Sequence, residues 1–391
     1  MKSARRLSAV PLPMILFLFA RLPLLVALPF DGLRGYGDLL HFYNLAAIPG
    51  LPYIHYWIEF PPGFAYLNVL IYTITGGVEH VYTYVLVLLL LAADIGNVLL
   101  FTSLEKLLYP GSERPTWRSL VYAVLIAALP YAWWYFDSLA VFFTMLAVYW
   151  LFSNRKPVLV GAAIGLGILI KLFPALLLPA LIRALPPRRS IPIAGVTLAL
   201  YCVPLLVLYA ISPAFTQASL ASQSARGSTA TVWAILDGNY RAGGFGPLVE
   251  RLDPANAYTS TRNPPVIPQY PLMAAFGALG LFLLVKAHLE DPARILAFYG
   301  LTLVIFFLWS SGWSPQWILH LIPIALLVLP ASPGLMAIGV LEAVNLLEWP
   351  LLLSRGLFYT YPLTILLRLT LLLLLGVLFF QRSRTPSAAS A

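Results

Sequence analysis

The chain has 391 residues, of which 60% are hydrophobic and only 10% charged, and its mean hydropathy is +0.86. A soluble domain carries about 25% charged residues, so this composition excludes an ordinary soluble protein and predicts a polytopic membrane protein. The formal net charge of +9 would suggest nucleic acid as a partner of a soluble protein. Basic loops at one membrane face explain it better, and we expect no nucleic-acid partner. Cys202 is the single cysteine, which excludes an intrachain disulfide.

Apolar segments of membrane-spanning length recur along the whole chain. A spanning helix needs roughly 20 mostly apolar residues. The stretch 158–184 is interrupted by Lys171 and Pro174, and it predicts two short helices that meet at Lys171 near one membrane face. Together the segments predict an all-α membrane protein with about 12 transmembrane helices. The other candidate spans are residues 10–29, 81–104, 118–134, 137–153, 191–211, 269–287, 294–310, 316–330, 334–352 and 361–380.

The distribution of basic residues predicts the orientation in a cell membrane. Most of the 24 Lys and Arg residues fall in termini and loops of one side, which the positive-inside rule assigns to the cytoplasm together with both termini. They include Lys2, Arg5, Arg6 and Arg114. Residues 30–80 and 212–267 then form two outer loops on a single domain, 1–391. The segment 63–76 is too short to span comfortably, and Pro61-Pro62 before it predicts a helix lying at the outer surface.

Asp38 follows Gly37 at the start of a helical-looking run in the first outer loop. One interpretation is an N-terminal cap, which accepts hydrogen bonds from backbone N–H groups. The other is a functional acid, because a carboxylate held against a membrane is rarely incidental. Asp38 and His41 are three residues apart, which leaves a divalent cation open, although a spacing of two ligands is a weak signal and surface polarity explains it better.

Glu59 lies in an aromatic run that contains His55, Tyr56 and Trp57, directly before Phe60 and the double proline. An interfacial aromatic belt explains the rings but not the acid. The alternative is a substrate-binding segment in which Glu59 binds a cation or a sugar hydroxyl, with His55 and Tyr56 beside it. The two interpretations are evenly balanced.

Asp137 and Lys171 are expected at the outer face as well. Asp137 stands at the start of a predicted span, where it could cap the helix or act chemically with Asp38. Lys171 lies in an apolar setting, so its ammonium group must snorkel, pair or bind an anion such as a lipid phosphate. In the second outer loop, Arg226, Arg241 and Arg262 are candidate cations, and Arg241 in its glycine-rich neighbourhood is the best placed of them. For any single one of the three, a solvated loop charge is the favoured explanation.

For the deeper ionisable residues, a structural interpretation is favoured over a path for protons or ions. Glu342 and Arg368 belong to the last two predicted spans and could pair across them, with Glu348 nearby. The sequence contains no Gly-x-x-x-x-Gly-Lys loop, no HExxH and no nucleophile elbow, so nucleotide hydrolysis has no visible site.

Several of these motifs resemble those of the GT-C superfamily, the integral membrane glycosyltransferases that use polyprenyl-phosphate sugars. Asp38 matches the catalytic acid of that family's first outer loop, and the Pro-Pro motif matches the start of its juxtamembrane helix. The acid in Phe136-Asp137-Ser138-Leu139 matches the second acid, and Lys171 to Pro174 is similar to the Lys-x-x-Pro segment. Ser314-Pro315-Gln316-Trp317 resembles a motif of the mannosyltransferase-like branch, although Tyr135-Phe136 stand where Gly-Gln often precedes the second acid.

The resemblance implies a GT-C-like helical bundle with juxtamembrane helices in the first outer loop. It implies an inverting transfer of mannose or another hexose from a polyprenyl-phosphate sugar donor to a hydroxyl of a lipid or glycan acceptor at the outer face, amid membrane lipids. Asp38 and Asp137 would be catalytic, and Glu59, His55, Tyr56, Lys171, Arg241 and Gln316 would bind substrate. A transporter or flippase, and a lipid-linked glycan ligase or polymerase, remain the alternative functions.

Overall fold

The structure is a computed structural model that describes residues 11–110, 117–241, 246–260 and 262–385. Lys2, Arg5, Arg6 and Arg114 lie outside the described residues. Within the described ranges the chain is helical and contains no strand, which confirms the all-α prediction. Six helices are long and apolar enough to cross a membrane, while the other apolar helices have 10–17 residues. The number of about 12 spans stays a prediction.

The first half of the chain alternates short helices of the outer loop with longer apolar ones. Proline at the first position begins several of them, since its missing N–H group is not needed there. The helices are α1 (Leu12–Ala27), α2 (Phe30–Arg34), α3 (Leu39–Ala46), α4 (Pro62–Ile74), α5 (Glu79–Leu108), α6 (Trp117–Ala128), α7 (Tyr131–Trp134), α8 (Asp137–Phe152) and α9 (Pro157–Ile170).

The second half contains the second outer loop and the last apolar helices. The loop carries two α-helices and two short 3₁₀ helices, at Leu248–Leu252 and Pro254–Tyr258. The helices of this half are α10 (Leu178–Ala184), α11 (Pro187–Ile211), α12 (Pro213–Ala225), α13 (Val232–Leu236), α14 (Gln269–Lys286), α15 (Pro292–Trp309), α16 (Ile318–Val328), α17 (Ala331–Leu346) and α18 (Tyr361–Arg384).

The predicted interruption at Lys171 is confirmed. Helix α9 ends at Ile170, Lys171 is extended, and a 3₁₀ turn at Phe173–Leu177 leads into α10. Glycines let α9 approach its neighbours closely: a Cβ atom on Gly161 would lie 2.6 Å from the backbone oxygen of Ile193 in α11. The broken helix is thereby fixed between α8 and α11.

Two buried ion pairs cross the bundle. Arg21 of α1 lies 3.3 Å from Asp94 of α5. Arg368 of α18 lies 2.7 Å from Glu348, so the predicted pairing of Arg368 with Glu342 is wrong. The reason is that regular α-geometry ends after Leu346, and the irregular turn at Leu347–Leu352 directs Glu348 toward α18 instead. Both pairs satisfy charges that an apolar bundle would otherwise leave unpaired.

Candidate active site at the outer loops

Asp38 is held at the start of α3 by a close contact with the segment before α8. Its backbone N–H donates to the carbonyl oxygen of Trp134 at 3.1 Å. Gly37 makes this approach feasible, because a Cβ atom there would lie 2.3 Å from the Cβ of Trp134. The same contact brings Asp38 near Asp137, three residues beyond Trp134. Asp38 and Asp137 therefore converge, as the sequence predicted.

The carboxylate of Asp38 is half-buried and does not cap its helix. It makes no hydrogen bond or ion pair with any side chain or backbone group among the described residues. The capping interpretation is therefore wrong for Asp38. Burial raises the pKa of Asp38 to about 7, with Lys171 lowering it, Glu59 raising it, Arg226 lowering it and Asp137 raising it. A carboxylate with such a pKa can accept a proton near neutral pH.

Asp137 is fully buried and binds two side chains from other helices. Lys171 Nζ donates to Oδ1 at 2.8 Å and to Oδ2 at 2.7 Å. His320 Nε2 of α16 lies 3.2 Å from Oδ1. Asp137 is the first residue of α8 and makes no capping hydrogen bond there, so its capping interpretation is wrong as well. Lys171 pairs with Asp137 rather than snorkelling alone.

The side chain of Lys171 remains partly exposed although it pairs with Asp137. Its side chain is 17% exposed, and its Nζ atom lies 5.1 Å from the ring centre of Phe136 and 5.6 Å from that of Phe173. An ammonium group has three N–H donors, and Asp137 accepts two of them. One donor thus remains for an anionic oxygen.

The Pro-Pro motif docks onto the helix end that carries Lys171. A Cβ atom on Gly63 would lie 2.6 Å from the backbone oxygen of Leu169, so only glycine lets α4 pack this closely against α9. Phe64 of α4 stacks on Phe136 with ring centres 3.6 Å apart. These contacts join the first outer loop, α8 and α9 around Asp38 and Lys171.

Glu59 lies at the centre of a second charged cluster. Its buried carboxylate lies 2.9 Å from His41 Nε2, 2.9 Å from Arg226 Nη2 and 3.3 Å from Arg251 Nη2. Burial alone would raise the pKa of Glu59, but Arg226, His41 and Arg251 together hold it well below its usual range. Glu59 thus positions Arg226, whose side chain is 34% exposed. Direct binding of substrate by Glu59 stays a prediction.

The other predicted substrate-binding residues lie in different surroundings. His55 is exposed and accepts a hydrogen bond from Leu51 N–H at 2.9 Å, which closes a tight turn. Tyr56 is fully buried in an apolar cluster. Arg241 is exposed, at the edge of a described range. Gln316 is buried, and its side-chain oxygen lacks a hydrogen-bond partner among the described residues.

Two members of the charged clusters were missed in the sequence. His320 follows Gln316 by four residues, so one helical turn separates them, and this spacing beside the Ser-Pro-Gln-Trp motif was a usable signal. Arg251 had no local signal, because its partner Glu59 is 192 residues away. Its guanidinium also lies 4.0 Å from the ring centre of Trp57, which explains one of the aromatics before Glu59.

A divalent cation finds few ligands near Asp38. No group of three or more His, Cys, Asp or Glu side chains suited to a metal occurs in the described part of the chain. His41, the proposed second ligand, is directed at Glu59 instead. The cations near Asp38 are Lys171 and Arg226. The site therefore suits an anionic substrate group better than it suits a metal ion.

A cavity of about 550 Å³ lies in the second outer loop, next to Arg226. Ala225 and Gly227, the neighbours of Arg226 in the chain, belong to its wall. The lining also includes Arg262, Tyr270 and Trp309. Arg226 thus stands between two cavity-lining residues in the chain, while its side chain contacts Glu59.

No protein-family model matches the chain, and no curated protein sequence matches it. Among solved structures, the chain is similar to the apo crystal structure of the oligosaccharyltransferase of Archaeoglobus fulgidus, with a TM-score of 0.45 and 13% sequence identity. The alignment covers 96% of this chain and 56% of that one, so this chain spans little more than half of its length. A likeness of this degree assigns neither an activity nor a substrate.

Proposed function

We propose that this protein is a membrane glycosyltransferase of the GT-C superfamily. It transfers mannose or another hexose from a polyprenyl phosphate to a hydroxyl group at the extracytoplasmic face, with inversion at the anomeric carbon. The observation that carries the proposal is the unpaired, half-buried carboxylate of Asp38 beside Lys171 and Arg226. A base next to cations suits a reaction that removes a proton and releases a phosphate.

In the proposed reaction, the carboxylate of Asp38 takes the proton from the acceptor hydroxyl. The acceptor oxygen forms a bond to the anomeric carbon while the bond between that carbon and the phosphate oxygen breaks. The electron pair of the broken bond stays on the phosphate, where the remaining N–H of Lys171 and the exposed part of Arg226 stabilise the charge. With Asp38 as the base, and with Asp137 and Glu59 both held in ion pairs, a single displacement inverts the anomeric centre.

Asp137 has a positioning role in this proposal. Its two oxygens hold the Lys171 ammonium group, and His320 holds the carboxylate from the other side. A lysine side chain has four rotatable bonds, so fixing it in advance reduces the entropy lost when a phosphate binds. Asp137, which matches the second acid of the GT-C motif, thus acts in this proposal by positioning Lys171.

The test is a turnover assay with protein in lipid nanodiscs. Polyprenyl-phosphate hexoses are supplied with a membrane lipid extract as acceptor, and release of polyprenyl phosphate is followed. We expect Asp38→Asn to reduce turnover by about 10²- to 10⁴-fold, the usual contribution of a general base. Asp31→Asn is the matched control, since Asp31 lies in the same loop with its side chain 88% exposed. Full activity of Asp38→Asn would remove Asp38 from the mechanism, and transport of donor without turnover would favour the transporter alternative.

A further inference from the structure

The cavity beside Arg226 is formed mainly by residues of the second outer loop. It lies between residues 225–228, Ser260, residues 262–272 and the end of α15. Two backbone hydrogen bonds fix its base: Thr229 N–H donates to the Ser311 oxygen at 2.9 Å, and Trp313 N–H donates to the Thr229 oxygen at 3.0 Å. A volume of about 550 Å³ falls within the range of small-molecule sites.

Arg262 brings a guanidinium group to the wall of the cavity. Its guanidinium donates to the backbone oxygens of Ser228 at 2.8 Å and Gly227 at 3.4 Å. No carboxylate forms an ion pair with it within the described ranges. Asp237 also lines the cavity, but its two oxygens accept hydrogen bonds from Ser228 Oγ at 2.6 Å and Val266 N–H at 2.7 Å. Burial lowers the pKa of Arg262, Tyr361 raises it, and Arg226 lowers it.

The rest of the lining suits a polar ring and a lipid chain. Trp233 and Trp309 belong to the lining, and hydroxylated rings can stack on aromatic side chains. Trp233 is fixed by a hydrogen bond from Nε1 to the Leu308 oxygen at 2.9 Å. Tyr270, which is 76% exposed, stands in the first turn of α14. Helix α14 has no buried residue along its length, so it offers an apolar path from the cavity into the bilayer.

A single displacement requires that donor and acceptor are bound at the same time. If Lys171 holds the donor phosphate, a lipid-borne acceptor needs a second site within reach of Asp38. Arg226 connects the two regions, since it contacts Glu59 in the first and its chain neighbours line the second. The charge of Arg226 acts on both Asp38 and Arg262.

We propose that this cavity binds the acceptor, and that the acceptor is a phospholipid whose head group carries a hydroxylated ring or polyol. Arg262 binds its phosphate, the tryptophans stack on the head group, and the acyl chains lie along α14. This inference deepens the proposed function and rests on it for the role of the lipid as a substrate.

The test measures lipid binding, independently of turnover. Protein purified in detergent is offered phosphatidylinositol, phosphatidylglycerol or phosphatidylcholine, and retained lipid is quantified by native mass spectrometry. We expect retention of the first two lipids over phosphatidylcholine. Arg262→Gln should weaken that retention by about tenfold, as for the loss of one charge-assisted contact. Arg262→Lys should keep part of it. Arg355→Gln, at an exposed arginine outside the cavity, is the matched control and should retain lipid as the wild type does.

Several outcomes separate this inference from the proposed function. Unchanged retention in Arg262→Gln, with the same melting temperature as the wild type, would overturn the lipid site alone. If Arg262→Gln does not fold, equal retention of all three lipids by Arg262→Lys and the wild type would overturn it. Polyprenyl phosphate that displaces the phospholipid, and binds Lys171→Ala undiminished, would make the cavity the donor site and overturn the acceptor assignment. Absence of turnover by the wild type together with lipid loss in Arg262→Gln would refute the enzyme and leave only a lipid site.

Discussion

The Nζ atom of Lys171 lies 2.8 and 2.7 Å from the two carboxylate oxygens of Asp137, although 34 residues separate the two in the chain. Asp137 begins one helix and Lys171 ends the next, so the pair joins α8 and α9 at one end. The carboxylate is fully buried while the lysine is 17% exposed. Asp137 therefore contributes to the packing of the helices, and Lys171 is the member of the pair that a substrate can contact.

These two roles are separable by mutation. Lys171→Ala leaves the Asp137 carboxylate buried without its cation, and we expect a loss of about 2–4 kcal/mol in stability together with weakened donor binding. The double variant Lys171→Ala/Asp137→Ala removes both charges and should recover most of the stability but none of the donor binding. Thermal unfolding and donor affinity are measured on the same samples. Donor affinity that returns with stability in the double variant would contradict a phosphate-binding role of Lys171.

The raised pKa of Asp38 predicts the pH dependence of turnover. The acceptor can be deprotonated only by the ionised carboxylate, so log(kcat/KM) should rise with pH and level off above about 7. A profile with a limb near 4 instead would mean that Asp38 is not the titrating base. The exposed Asp31→Asn variant serves as the control, because it should leave the profile unchanged.

The raised pKa of Asp38 also predicts the pH dependence of stability, which should fall as the pH rises whereas turnover increases. Because the folded-state pKa of about 7 lies above the ordinary 3.8, the folded protein binds the Asp38 proton more tightly than the unfolded chain does between these values. Stability therefore falls as the pH rises through this window. We expect Asp38→Asn to raise the melting temperature by about 1–3 °C at pH 8 and to have little effect at pH 4. A destabilised Asp38→Asn at pH 8 would show that the carboxylate has a partner after all.

Hydropathy predicted most helices, but not the partners of the charged residues. The interruption at Lys171 and the helix behind Pro61-Pro62 follow from proline and charge in an apolar stretch, and both occur at the predicted places. Whether Asp38 and Asp137 cap their helices could not be read locally. Trp134 holds the Asp38 backbone, and Lys171 and His320 hold the Asp137 carboxylate, from distant parts of the chain. Arg368 pairs with Glu348 rather than Glu342 for a similar reason: helical periodicity does not extend through an irregular turn.

Glu59 is expected to contribute to stability as well as to the position of Arg226. Its side chain is fully buried, and Arg251, which is 1% exposed, depends on it for charge balance. Glu59→Gln should destabilise the protein by about 3–5 kcal/mol, since it removes the carboxylate with which the buried guanidinium of Arg251 pairs. Glu59→Asp keeps the charge and should retain part of the stability. A Glu59→Gln variant with normal thermal stability but lost turnover would instead favour direct binding of substrate by this carboxylate.

Gly63 offers a test of the contact between the Pro-Pro motif and Lys171. Alanine at this position would place Cβ 2.6 Å from the Leu169 oxygen, and the backbone must shift to relieve it. We expect Gly63→Ala to reduce turnover about tenfold through displacement of α4 from the end of α9. Gly195→Ala is the matched control, because no atom lies within 4 Å of a Cβ there and alanine favours the helix. Equal turnover of the two variants would show that the contact does not position the site.

The orientation is testable at the two ends of α11. This helix has 25 residues and a length of about 37 Å, which exceeds the roughly 30 Å of a bilayer core. Arg188 lies exposed at its start, and Val249, 69% exposed, lies in the outer loop that follows its end. In a Cys202→Ser background, which removes the exposed native thiol, cysteine is introduced singly at these positions and treated with an impermeant maleimide. We expect Val249→Cys to react in intact cells and Arg188→Cys to react only after permeabilisation, because the positive-inside rule predicts the cytoplasmic side for the basic loop. Reaction of Arg188→Cys from outside would place Asp38 and the cavity of Arg262 at the cytoplasmic face, where a polyprenyl-phosphate sugar facing outward could not reach them.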